Sequence, residues 1–317
     1  MEENAKEMTE STKIALVMGS GAARGYAHLG ALKRLFEAGI SVDMMVGTSF
    51  GALVGAAFSA GRSVYDMEEL TREFGWRKII KMLDIGYPRG IIAGNRMKDF
   101  FSFVVKEKLF SELDIPLTVV TTNIETGEEV LINEGPVSEA VMASSALPGI
   151  FTPVRFKNQW LVDGALVNPL PIQTALDLGA DLVIAIDVSC PIKSVKYLNG
   201  IKKSSKALFK NISQLPYVNS MVSPKGISRK LKYIIPEGFY TASDGLRIRE
   251  NNKEKIDMIP KLKNVVLIKP EVEEINWFDF YSVNKIIQKG SKAVNPDILR
   301  NIKALISELE EKNYAEK

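Results

Sequence analysis

Apolar residues fall along the chain in short runs divided by glycine-rich or polar breaks, and their spacing switches between that of a buried strand and that of a helix. Lys13 to Met18 (KIALVM) stops at glycines and reads as a buried strand. In the following AHLGALKRLFEAGI, Leu29, Leu32, Leu35 and Phe36 recur at helical spacing and Gly39 closes the helix. Val42 to Val46 predicts a second strand and Phe50 to Ala60 a helix behind it. Residues 63–107 have a helical pattern broken at Pro88, Gly90 and Gly94. The β-branched run Ile115 to Thr122 predicts a central strand, with Glu129 to Ile132 beside it across a turn at Glu125–Gly127. A helix over Val137 to Ala146 runs up to Pro148, and a hairpin over Val154 to Val162 turns at Lys157-Asn158. A helix from Pro171 to Leu178, strands at Leu182 to Asp187 and Val265 to Ile268, and a terminal helix from Pro296 to Leu309 complete the pattern. This order predicts an α/β fold with a central, mostly parallel sheet flanked by helices.

At 317 residues and 46% hydrophobic content the chain can bury a full core. The single cysteine, Cys190, excludes an intramolecular disulfide and fits a reducing compartment. The N-terminal MEENAKEMTESTK has no apolar core of a secretory signal, so the expected location is the cytoplasm. Residues 44–61 carry no charge over eighteen positions, close to a membrane span in length. Four glycines dilute that run, and Gly47 and Gly51 interrupt it near its start.

The net charge of +3 conceals a segregation: residues 188–236 hold ten Lys or Arg and no Asp or Glu. This stretch breaks the α/β rhythm. The expected organisation is a polar tail at 1–12, a catalytic core at 13–187, a basic lid-like insertion at 188–258, and a strand and helices at 259–317 that complete the core. Within the insertion Leu198, Ile201, Leu208, Ile212 and Leu215 form an apolar stripe with Lys202, Lys203, Lys206 and Lys210 between them. Such a helix either packs on the domain with a solvated basic face or docks on anionic membrane, the second giving peripheral contact through 196–232 at the inner face of the membrane. Sparse aromatics there (Tyr197, Phe209, Tyr217, Tyr233) argue against nucleic acid as a partner.

The candidate chemistry sits in the uncharged run. Gly47-Thr48-Ser49-Phe50-Gly51 has the G-x-S-x-G frame of a nucleophile elbow, in which a tight strand-to-helix turn tolerates no side chain two residues either side of the serine. A helix N-cap serine is the alternative for Ser49. The loop Gly19-Ser20-Gly21-Ala22-Ala23-Arg24-Gly25 misses the third glycine of a dinucleotide fingerprint, because Arg24 stands there. An oxyanion loop, offering backbone N–H groups, fits it better. Arg24 is its only charge and is expected either beside the anionic part of a substrate or in an ion pair that holds the loop. The one histidine, His28, precedes the serine and is expected to pack or cap on the first helix. Asp163, ending a predicted strand before Gly164 and Ala165, is a candidate base. A carboxylate is a weak base for a hydroxyl in water, and partial desolvation strengthens it.

These motifs together resemble the small bacterial patatin-like phospholipases, acyl hydrolases with a Ser–Asp dyad. The resemblance carries the family's serine onto Ser49 in GTSFG, its aspartate onto Asp163 in DGA, and its oxyanion loop onto residues 19–25 with the arginine at Arg24. ASSALPGIF at 143–151 and VVLIKPEVEEINWFDF at the end of the core are similar to further family segments. The resemblance departs at Ser20 and Ala22, which stand where the family loop has glycines. It implies hydrolysis of a phospholipid or lysophospholipid acyl ester through an acyl-enzyme, with no metal or organic cofactor. A soluble carboxylesterase or thioesterase, and a catalytically weak membrane-surface regulator, are the alternatives.

Overall fold

The structure, a computed structural model, describes residues 12–73, 95–147, 151–189, 264–276 and 279–315. The polar tail up to residue 11, the breaks at Pro88, Gly90, Gly94 and Pro148, and the basic stretch from residue 190 onward with its apolar stripe lie outside the described residues.

The described strands form one eight-stranded sheet. Its centre is β1 (Ile14–Met18), flanked in parallel by β2 (Met44–Thr48) and β7 (Leu182–Ile186). β3 (Leu117–Asn123) lies beyond β2 and β8 (Val265–Ile268) beyond β7, both parallel. β4 (Glu129–Ile132), β5 (Val154–Phe156) and β6 (Gln159–Asp163) join on the β3 side as antiparallel strands. Every residue of β1 and β7 is buried, which is why these strands read as continuous apolar runs. Alternation then assigns the two faces: Leu16, Met18, Ile184 and Ile186 join the larger core, and Ala15, Val17, Val183 and Ala185 the smaller one.

The larger core is covered by α1 (Tyr26–Glu37), α2 (Phe50–Ser59), α4 (Asn95–Val104), α5 (Val137–Ser144), α7 (Val283–Ala293) and α8 (Pro296–Ala315); α3 (Val64–Glu73) adds Val64 and Met67. On the smaller core lies α6 (Ile172–Asp177), through Ile172 and Ala175. No described helix is long and apolar enough to cross a membrane, and the uncharged run 44–61 divides into β2, the turn at Ser49 and α2.

Two expectations need correction. Phe36, assigned to the apolar stripe of α1, is 57% exposed and meets Phe58 edge-on with ring centroids 6.5 Å apart. The helix α7 has no counterpart among the sequence-based elements, because Gly290 in its interior disfavours a helix locally. Tertiary packing explains that glycine: α1 and α7 cross so closely that a Cβ at Gly290 would stand 2.7 Å from the Ala27 carbonyl carbon, and one at Gly30 would stand 2.7 Å from the Ser291 nitrogen.

Strand β3 acts as a ruler for the site. Its residues 117–120 pair with β2 and its residues 121–123 with β6, while β4 spans 119–122. Because β4 overlaps both registers, β2 and β6 must share the opposite edge of β3, end to end. Thr48 therefore faces Val120 and Asp163 faces Thr121, the next residue along.

Candidate active site

Leaving β2, the chain turns at Ser49 with φ +56° and ψ −121°, a backbone state that costs an L-residue about 1–3 kcal/mol. Glycine makes the turn sterically feasible. A Cβ at Gly47 would stand 2.6 Å from Ala52 Cα, and one at Gly51 would stand 2.7 Å from the Gly19 carbonyl oxygen and closer still to that of Met18. Ser49 occupies the N-cap position of α2, yet its side chain makes no capping hydrogen bond. Its Oγ donates instead to Asp163 Oδ2 at 2.9 Å, and both residues are buried.

Asp163 is held on every side. Its N–H donates to the Ala146 carbonyl at 3.0 Å, and its own carbonyl accepts from Thr122 Oγ1 at 2.9 Å. Oδ1 accepts from the Ala165 N–H at 2.9 Å, which leaves Oδ2 turned toward Ser49. Gly164 is required where β6 ends, since a Cβ there would stand 2.7 Å from the Val120 carbonyl carbon.

Two supporting residues escaped the sequence reading. Fully buried Ser144 accepts from the Ser49 N–H at 2.8 Å and donates to the Val120 carbonyl at 2.6 Å, bracing the strained turn against β3. Thr48 Oγ1 donates to the Asn168 carbonyl at 2.9 Å, which ties the end of β2 to the loop after Asp163. ASSALPGIF marked the neighbourhood of Ser144, but nothing local distinguishes its hydroxyl from that of Ser145.

The loop Gly19–Gly25 lies against this turn: a Cβ at Gly25 would stand 2.6 Å from Phe50 Cγ. Gly19 N–H donates to Ile186, Ser20 N–H to Pro169 and Arg24 N–H to Gly21. Among the described residues no acceptor meets the N–H groups of Gly21, Ala22 and Ala23. Ala22 adopts φ +47°, the left-handed conformation that suits the glycine expected at that place. Arg24 has the loop-holding place that its sequence context also allowed. Its side chain is buried and its Nε donates to the Ile275 carbonyl at 2.7 Å, so it fastens the loop to the segment after β8.

His28 packs beneath the same loop. Its Nε2 lies 2.7 Å from the Gly19 carbonyl, and since a carbonyl only accepts, Nε2 must carry the proton. Nδ1 is then a bare acceptor, buried with no partner among the described residues. Desolvation pulls the imidazole down to about 4, against a smaller upward effect of the Gly19 hydrogen bond. Between about pH 6.5 and 4 the unfolded chain gains a proton on His28 that the folded chain refuses, so the folded state loses stability as pH falls through this window. Above pH 6.5 both states hold a neutral ring and the contribution is complete. The full effect is about 3 kcal/mol at roughly 1.36 kcal/mol per pH unit. Urea unfolding at pH 7 and at pH 4.5 checks it: His28→Gln should lose clearly less stability between the two than the wild type, and parallel losses would refute it.

The family model for patatin-like phospholipases matches residues 16–176, a span that includes the glycine-rich loop, Ser49 and Asp163. The chain belongs to the patatin-like phospholipase family. An uncharacterized NTE family protein of Mycobacterium tuberculosis is 32% identical over 212 residues, covering 63% of this chain and 59% of that protein. Patatin-like phospholipase domain-containing protein 6 of Homo sapiens is 36% identical over 192 residues, covering 58% of this chain and 14% of that protein. This chain therefore spans less than two thirds of the length of either relative. The patatin-like fold extends to the crystal structure of VipD from Legionella pneumophila, with a TM-score of 0.55 at 14% identity over 93% of this chain and 67% of that chain.

Proposed function

We propose that this patatin-like protein is a serine acyl hydrolase of lipid acyl esters, with a phospholipid or lysophospholipid as substrate and Ser49 and Asp163 as its catalytic pair. The observation that carries the reading is the hydrogen bond of 2.9 Å from Ser49 Oγ to Asp163 Oδ2 at a strained strand-to-helix turn. Ser49 Oγ attacks the ester carbonyl carbon while its proton passes to Asp163 Oδ2. The carbonyl oxygen gains negative charge and accepts from the N–H groups of the loop at Gly21–Ala23, aided by the N-terminus of α2. Collapse breaks the bond to the alcohol, which leaves with the proton from Asp163, and an acyl group stays on Ser49. Water then attacks the acyl carbon, gives a proton to Asp163 and releases the fatty acid, and the proton returns to Ser49 Oγ. Each proton thus uses one carboxylate oxygen, and no histidine takes part.

The test is release of fatty acid from lysophosphatidylcholine micelles, measured beside p-nitrophenyl butyrate. Turnover of both, with the micellar lipid preferred, is expected. Turnover of the soluble ester alone would favour a carboxylesterase, and turnover of neither would leave a membrane-surface regulator.

A further inference from the structure

Where the N–H groups of Gly21, Ala22 and Ala23 point depends on the peptide plane just before them, between Gly19 and Ser20. That plane is clamped at both polar ends. The Ser20 N–H donates to the Pro169 carbonyl at 2.8 Å, and the Gly19 carbonyl accepts from His28 Nε2 at 2.7 Å. Pro169 follows Asn168, whose carbonyl accepts from Thr48 Oγ1, so one short segment holds both the loop and the end of β2. The Gly19 oxygen also lies against the first turn of α2, since a Cβ at Gly51 would stand 2.7 Å from it. Among the described residues no donor but His28 meets this oxygen. Gly19 has no Cβ, so the plane meets little steric resistance to turning and depends on its hydrogen bonds to stay in place.

The ring suits this task. His28 is fully buried and holds its one proton on the nitrogen that faces Gly19; a proton on Nδ1 would leave two lone pairs facing each other. Burial pulls the imidazole down to about 4, so the ring is neutral at working pH and reaches an oxyanion only through the loop. Packing alone would not call for this residue, since an apolar side chain of similar size would fill the space without burying a bare nitrogen. We propose that His28 is a positioning residue, whose Nε2–H fixes the Gly19–Ser20 peptide plane and thereby aims the N–H groups of Gly21–Ala23 at the transition-state oxygen. The assignment rests on the hydrolase reading and adds to it the side chain that sets the oxyanion donors in place.

The test uses p-nitrophenyl butyrate and two amide variants. The side chain of His28→Asn ends short of the Gly19 carbonyl, so kcat should fall roughly 10- to 100-fold with KM nearly unchanged, because the oxyanion exists only in the transition state. Affinity for a trifluoromethyl ketone, which Ser49 Oγ converts to a tetrahedral adduct, should weaken in step with kcat/KM. His28→Gln, whose amide N–H reaches about as far as Nε2–H, should recover most of the lost kcat. Equal activity of the two variants, or a loss that falls on KM alone, overturns the assignment. Because the chain has one histidine, NMR of the isotope-labelled imidazole reads the wild type directly and carries the test if His28→Asn does not fold. The expected spectrum has a protonated Nε2 and a bare Nδ1, with the Nε2 resonance shifting as the ketone adduct forms. A ring protonated on Nδ1, or a spectrum that the adduct leaves unchanged, overturns the assignment. A wild type inactive on esters would instead overturn the hydrolase reading, and this proposal with it.

Discussion

Ser49→Ala should abolish ester hydrolysis and labelling by a fluorophosphonate probe. Among the described residues Ser49 alone is a serine with positive φ, and its Oγ already shares its proton with a carboxylate. A second variant separates chemistry from folding. Alanine keeps a Cβ at φ +56°, so Ser49→Ala retains the backbone strain of the turn, whereas Ser49→Gly relieves it. Both should be inactive, yet Ser49→Gly should be more stable than Ser49→Ala by about 1 kcal/mol in urea unfolding. This outcome would mean that the fold gives up stability to present its nucleophile. Labelling of Ser49→Ala at the wild-type rate would remove the serine from the mechanism.

Asp163→Asn should lower kcat by roughly 100-fold or more on any ester the wild type cleaves, the usual scale of lost base catalysis. The amide is isosteric. Its oxygen can still accept from the Ala165 N–H, and the backbone bonds to Ala146 and Thr122 do not involve the side chain. Thermal unfolding should therefore stay close to wild type while labelling of Ser49 slows in step with turnover, because the proton acceptor alone is missing. A variant that labels and turns over normally would show that the Ser49 proton goes elsewhere. A variant that unfolds early would assign Asp163 to the architecture of the β6 turn.

Much of this architecture was legible along the chain. β4 and β8 lie where the apolar runs placed them, and α1 ends before Gly39, which has φ +75°. Lys157 and Asn158 both take positive φ in the hairpin turn. Other features were not legible. The polar Ser144 of ASSALPGIF gained its meaning from the Ser49 N–H, 95 residues before it. Arg24 stood out as the only charge of its loop, but its acceptor, the Ile275 carbonyl, comes 251 residues later.

The division follows the range of the forces. Hydrophobic periodicity, glycine freedom and turn chemistry act within a few residues, so the sequence by itself determined the α/β order, the elbow with its flanking glycines and the loop rich in N–H donors. Which groups meet was left to the tertiary structure. Ser49 and Asp163 are 114 residues apart and come together because β2 and β6 end at successive positions along one edge of β3. The close crossing of α1 and α7 likewise depends on two glycines, Gly30 and Gly290, which let helices from distant parts of the chain touch.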